Sequence, residues 1–471
     1  MIANLWEWNW PSISKECTTV LGPKGYGGVQ VAPPQDSLKR TELGNGSDTV
    51  LHPWWEVYQP ARYRLTSRMG DETQFKAMVR TCRKAGVKVY VDAVINHMTG
   101  QGSRSYGGTS YGRYSYQDLF GPGTRDYRPR NFHKTSGQCP STTGGIENFN
   151  DVTQVHFCEL VGLADLRTET KLVRTQLVRY LNLLLGYGVS GFRVDAAKHI
   201  PQADLIAIRR QLHRTVDGDR PYWVLEVGPG SPGVLSPQAY LRAGDLLGFD
   251  YQKQIKDAFK SYTTPATGSI ASLRVFGEAA GLLPSDRTLV FVQNHDSERN
   301  PGDALSYQDG ATNILAHQFL LAYPYGRPQV YSSFKWNTKD DSPPSNADGL
   351  ITDSDCAAWT CVDRDPRVAN LVGFHNHVAG TKLRHWYDDG QNLIAFSRGG
   401  RGWIAINNAT TPATRTFRTG LAQGTYCDLS TGTLVRGRCS GGTVAVDAGG
   451  RTRVRLAAKT AVAIATDQRL R

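Results

Sequence analysis

The feature that most constrains this chain is a repeated order. An amphipathic helical stretch is followed by a tight break and a short apolar run that turns polar only at its last residues. Residues 71–85, DETQFKAMVRTCRKA, set Phe75, Met78, Val79 and Cys82 on one helical face. Asp71 and Gln74 have the spacing of a capping box, and Gly86 suits the C-terminal cap. The strand-like run VKVYVDAVINH comes directly after. Residues 170–187 repeat the pattern with Leu172, Val173, Leu177, Tyr180, Leu181 and Leu184, and GVSGFRVDAAKH follows. The spacing of Leu205, Ile208 and Leu212 predicts a helix over 202–216, ahead of PYWVLEVGPG, and TLVFVQNHD runs to 296. Such alternation specifies a parallel sheet covered by helices. On a closed (β/α)8 barrel the C-terminal strand ends, where these ionisable residues sit, are where active sites are built.

Two stretches break the alternation. From 98 to 163 the chain is rich in Gly, Ser, Tyr and Asn without helical periodicity, far longer than an ordinary barrel loop. From 381 to 471 short β-type segments such as LIAFSRG and GWIAINN alternate with turns. The expected division is a TIM barrel over 1–97 and 164–380, an irregular β domain inserted at 98–163, and a C-terminal antiparallel β-sandwich domain over 381–471. A length of 471 residues suits one large domain with smaller ones attached.

The net charge of +12 raises the question of nucleic acid, but the basic residues are spread along the chain without a Lys/Arg block. No nucleic-acid partner is expected. No uninterrupted apolar run reaches membrane-spanning length, so no membrane partner is expected either. The eight cysteines have neither C-x-x-C nor zinc spacing. An even count without a metal pattern favours disulfides and an oxidising compartment; eight buried free thiols is the competing reading. Cys356 with Cys361 and Cys427 with Cys439 are near enough in sequence to close small loops. The chain opens MIANLWEWNW, without the charged and apolar regions of a signal peptide, so a secreted protein would have its signal outside these residues.

Four strand ends carry the chemistry. They present Asp92, Asn96 and His97; Arg193, Asp195, Lys198 and His199; Glu226; and Asn294, His295 and Asp296. Hydrolysis of a glycosidic bond with retention needs a nucleophilic carboxylate and an acid/base carboxyl about 5–5.5 Å apart. Arg193, two residues before Asp195, shares its strand face and favours an ionised Asp195. Glu226 must instead hold a proton, which calls for a less polar setting.

These segments, with WEWNWPSISKEC and LGPKGYGGVQVAPP near the start, HPWWEVYQP at 52–60 and HWYDDGQNLIAFSRGGRGWIAINN near the end, resemble the α-amylase family of glycoside hydrolases, in its animal-type members and their bacterial relatives. The resemblance implies Asp195 as nucleophile, Glu226 as acid/base and Asp296 as the third carboxylate. It implies a sugar site lined by Trp54, Trp55, Tyr58, Gln59, His97, Arg193 and His295, with Lys198 and His199 on the leaving-group side. The activity implied is endo-hydrolysis of α-1,4-glucosidic bonds in starch, glycogen and maltooligosaccharides, by a secreted monomer. A transglycosylase or isomerase of the same fold, and a non-catalytic glucan-binding relative, are the alternatives.

The resemblance further implies one structural Ca²⁺, held by Asn96, Asp165 and the main-chain carbonyls of His156 and His199, an oxygen set suited to that ion. It implies the pairs Cys17–Cys82, Cys139–Cys158, Cys356–Cys361 and Cys427–Cys439. Two departures stand out. Animal-type enzymes bind chloride through two arginines and an asparagine; Arg193 and Asn294 match, but Gln329 replaces the second arginine. Activity without chloride dependence is therefore expected. NPGDALSYQDG stands in place of the glycine-rich mobile loop.

Overall fold

A computed structural model of the chain describes residues 1–43, 50–124, 126–260, 268–300 and 302–470; Pro301 of NPGDALSYQDG lies outside the described residues. Eight parallel strands close a barrel in sequence order: β1 (Ile2–Leu5), β2 (Gly28–Val31), β3 (Lys88–Ala93), β4 (Gly191–Val194), β5 (Tyr222–Leu225), β6 (Asp245–Leu247), β7 (Thr288–Phe291) and β8 (Arg327–Ser332). Ile2 pairs with Gly28 on one side and Gln329 on the other, which completes the ring. Alternate side chains divide between two cores. Ile2, Val224, Leu247, Leu289 and Phe291 pack inside the barrel, with Tyr90 and Tyr222 edge-to-face at 5.6 Å. Their neighbours along the strands, such as Phe192, Trp223 and Val290, face the surrounding helices.

Helix Glu72–Lys84 has the expected capping box at Asp71 and buries Phe75, Met78, Val79 and Cys82. Helix Lys171–Gly186 buries Val173, Leu177, Tyr180, Leu181 and Leu184. The third expected helix is shorter than its periodicity suggests, covering only Gln202–Arg210. Beyond it the backbone N–H of His213 is taken by Asn182 Oδ1 at 2.8 Å. Thr215–Asp219 then forms a turn around Gly218, whose φ of +83° lies in the left-handed region. The turn delivers the chain to β5, and Leu212 is left half-buried.

The segment after β3 leaves and returns side by side: Met98 N–H donates to Ala164 O, and Leu166 N–H to Asn96 O. Between those points the described residues form isolated bridges and short helical turns around buried Tyr111, Tyr116, Tyr127 and Phe132. After helix Pro366–His377, strands β9 (Leu383–Asp388), β10 (Leu393–Arg398), β11 (Gly402–Asn407) and the last strand, Thr460–Ala465, make an antiparallel sheet. One face of it packs with Phe417, Tyr426 and Leu456 into a separate core around Trp403.

All eight cysteines are paired, as Cys17–Cys82, Cys139–Cys158, Cys356–Cys361 and Cys427–Cys439, so the free-thiol reading falls. The first ties residues 65 apart in sequence, a constraint on the unfolded chain of about 4 kcal/mol by the chain-entropy argument.

Candidate active site

The barrel strands end their apolar register at Leu5, Ala93, Val194, Leu225 and Phe291, and the next residues rise into a cleft of about 670 Å³. Asp195, Glu226 and Asp296 all line it. At its base lies Arg193, 2% exposed. Its Nη1 donates to Asp195 Oδ1 and to Asp92 Oδ1, each at 2.7 Å, and its Nη2 lies 2.6 Å from Glu226 Oε1. Ala196 follows Asp195 in the left-handed region, with φ of 47°, and its N–H donates to Glu226 Oε2 at 2.8 Å. That conformation is costly for a residue with a Cβ and holds only because the neighbours over-determine it. Glu226 is also within hydrogen-bonding reach of Asp296.

This corrects one expectation. Glu226 is not in an apolar setting: a guanidinium and a backbone N–H hold it. Asp92, Asp195, Glu226 and Asp296 crowd around a single arginine. Burial pushes the Asp195 carboxyl well above its usual range, Arg193 draws it back, and Glu226, Asp92 and Asp296 push it up further. Asp92 is raised to about 6, by burial first, against the pull of Arg193. Asp296, half-exposed at the cleft, is likewise raised by desolvation, against the pull of Arg193 and Arg299. Asp92 was legible only as a strand-end acid; its share in the arginine's bonds is a tertiary fact.

The remaining expected residues fall into place around this cluster. His295 is stacked between Trp6 and Tyr58, with ring centroids at 4.9 Å on each side, and burial holds it far below the ordinary histidine range. Its Nε2 is 3.4 Å from Asp296 Oδ2. His97, lowered to about 4 by burial, donates Nε2–H to Tyr58 O at 2.9 Å. Both rings are therefore neutral at pH 7; His97 uses its one N–H on Tyr58 O, and His295 is the ring left to donate to a ligand. Trp54, Trp55 and Gln59 line the cleft wall, with Gln59 Oε1 accepting from Gly100 N–H at 2.9 Å. Lys198 Nζ donates to Ser231 Oγ at 2.8 Å, and His199 Nδ1 is 3.0 Å from Val155 O. The cleft also takes Phe149, Val161, Lys339 and Asp340. Sequence reasoning missed these four; Val161, an apolar side chain 85% exposed, is the kind of residue periodicity cannot flag.

Beside the cleft, Asn96 Nδ2 donates to Asp165 Oδ1 at 3.1 Å. Helix Val152–Phe157 ends at this junction, where the carbonyls of His156 and His199 accept no backbone hydrogen bond among the described residues. One carboxylate, one amide and two free carbonyls are the donor chemistry of a Ca²⁺ site. An anion site fits less well. Gln329 Nε2 is spent on Gln30 Oε1 at 2.8 Å, and Arg193 is already committed to carboxylates, which leaves Asn294 Nδ2 as an unpartnered donor.

Comparison with known proteins accounts for this architecture. The alpha amylase catalytic-domain model matches residues 57–222, and the alpha amylase C-terminal all-beta domain model matches residues 385–467. An α-amylase of Thermomonospora curvata is 43% identical, over 98% of this chain and 73% of that protein. Human α-amylase 2B is 37% identical, over 93% of this chain and 88% of its own length. A mutant of α-amylase I from Eisenia fetida, solved with maltohexaose, superposes with a TM-score of 0.91 at 34% identity, covering 99% of this chain and 97% of that one. Fold and matches together define a barrel glycoside hydrolase with a C-terminal β domain. The chain belongs to the α-amylase family, and its activity is that of an α-amylase.

Proposed function

We propose that the enzyme is an endo-acting hydrolase of α-1,4-glucosidic bonds that works by double displacement. The observation that carries this reading is the convergence of Asp195, Glu226 and Asp296 on one cleft, with Asp195 and Glu226 bonded to the same guanidinium group. That sharing supports the close carboxyl spacing of a retaining enzyme.

Asp195 attacks the anomeric carbon while Glu226 gives its proton to the glycosidic oxygen, and the C–O bond breaks. Glu226 then takes a proton from water, which attacks the same carbon and frees Asp195. Arg193 keeps Asp195 ionised once the proton of the cluster resides on Glu226. Asp296 and His295 hold hydroxyl groups of the sugar at the reacting centre, and the ring of His97 lines the wall beside them. Trp54, Trp55 and Tyr58 offer ring faces to neighbouring glucose units, Gln59 a polar edge, and Lys198 and His199 face the leaving-group side.

Starch, glycogen and maltooligosaccharides are the substrates this cleft fits, and the solved maltohexaose complex of the Eisenia fetida relative supports the reading. A Ca²⁺ ion held by Asn96, Asp165 and the carbonyls of His156 and His199 would pin the 98–163 segment to the barrel; it supplies cross-linking rather than reaction chemistry. Four disulfides support secretion into an oxidising space, and we expect a monomer there.

Time-resolved product analysis on a defined maltooligosaccharide tests the mechanism. Internal cleavage with the α-anomer formed first is expected. Initial β-anomer would remove the double displacement, and products longer than the substrate would favour transglycosylation.

A further inference from the structure

At the end of the barrel opposite the cleft, one pocket is lined by charge of a single sign. Helix Gln202–Arg210 finishes there and β5 and β6 begin there, and their connections bring Arg209, Arg210, His213, Arg214, Arg220 and Arg242 around one pocket of about 470 Å³. No carboxyl group lines it. Elsewhere on the scaffold Arg83, Arg174 and Arg287 are each held by an aspartate. Among the described residues none of the five pocket arginines forms an ion pair, although two are positioned by carbonyls. Arg209 Nη1 donates to Ala243 O at 3.1 Å, and Arg214 Nη1 to Gly218 O at 2.8 Å. Burial lowers Arg209, and Arg287 and Arg220 add to this against Asp245. The nearest carboxylates, Asp219 and Asp245, line the adjoining pocket and pair with none of the five arginines, so like charges gathered around this concavity cost free energy that a bound anion would relieve.

We propose that this pocket binds multiply charged phosphate, either a free oligophosphate or a phosphate ester of a sugar. A planar guanidinium matches two phosphate oxygens at once, so several of them around one concavity favour phosphoryl oxygens over a spherical ion. A single halide or carboxylate would leave most of the five cations unbalanced. Ile206 and Leu212 give the pocket an apolar side that suits the body of an organic ester. The same chemistry comes from a free oligophosphate or from phosphate esters carried on sugar. The occupant joins the end of a helix to the starts of two strands, and β5 runs from Tyr222 at this end toward Glu226 at the cleft. Binding therefore stabilises the barrel without blocking substrate.

Titration calorimetry on the full chain at constant ionic strength tests this, with inorganic triphosphate and glucose 6-phosphate as separate probes. Saturable one-to-one binding is expected for at least one of them. The double variant R210E/R214E should weaken it by at least about tenfold, given the strength of hydrogen bonds to charged groups. The milder R220Q/R242Q should weaken it less, and starch hydrolysis without ligand should be unchanged in both variants. Tighter triphosphate binding assigns a free oligophosphate, and tighter glucose 6-phosphate binding assigns a phosphorylated sugar. Absence of saturable binding for both probes, or undiminished affinity in R210E/R214E, overturns the proposal.

Discussion

The two halves of the barrel interior are built from opposite materials. Below the cleft, Ile2, Val224, Leu247, Leu289 and Phe291 fill the ring with apolar volume together with the edge-to-face pair Tyr90 and Tyr222. At the C-terminal ends of β3, β4 and β5, Asp92, Asp195 and Glu226 converge on Arg193. The lower half gains free energy from burial and contributes nothing chemical. The upper half spends some of that stability on desolvated charges that do not balance. The contrast teaches where a substitution registers: below, in folding; above, in turnover.

The sharpest test of that contrast is Glu226→Gln. It keeps the shape and the contact with Ala196 N–H but removes the exchangeable proton, so turnover should fall by about 10²–10⁴ while the thermal midpoint barely moves. Steady-state kinetics beside a melting curve checks both, and near-normal turnover would remove the acid/base role. Phe291→Ala is the mirror case. Deleting a fully buried ring from the apolar half should cost about 3–5 kcal/mol in denaturant unfolding, with kcat of the folded fraction near normal. A large loss of kcat in folded protein would erase the division between the halves.

Calcium removal acts on the upper half from the side. If the ion pins the inserted segment, excess chelator should lower the melting temperature, by about 2.7 kcal/mol of stability where free Ca²⁺ had stood at 100 times its Kd. An unchanged melt would reject the site.

A smaller effect belongs to the helices around the barrel. Burial holds His317 and His375 neutral, each lowered to about 4. Between pH 6.5 and 4 the unfolded chain binds protons that these folded sites refuse. Their stability is fully present above about pH 6.5 and is lost as pH falls toward 4, with a slope near 1.4 kcal/mol per unit per site. Unfolding curves of His317→Gln across that range should be flatter; an identical slope would place the titration elsewhere. The smallest expectation is no change at all: chloride titration should leave activity flat, and a many-fold rise would overturn the reading of Gln329.

Much of this was readable before any coordinates. Helix Glu72–Lys84 announced itself through periodicity and its capping box, because a helix of that length obeys local rules. The helix after Pro201 did not, since the Leu212 position continued the pattern while the turn at Thr215–Asp219 ended it. The strand-end acids were visible as candidates; their common partner Arg193 was visible only for Asp195, two residues away. Phe149, Val161, Lys339 and Asp340 reach the cleft from loops with no period to read.

The sequence by itself determined the alternation of helix and strand, the even set of cysteines and the acids placed at strand ends, because each depends on neighbours within a few residues. Tertiary structure alone decided how many carboxyl groups share one guanidinium, and that Arg209, Arg210, Arg214, Arg220 and Arg242 meet in a pocket lined by no acid. Charge interactions depend on distance through space, and only closure of the ring sets those distances.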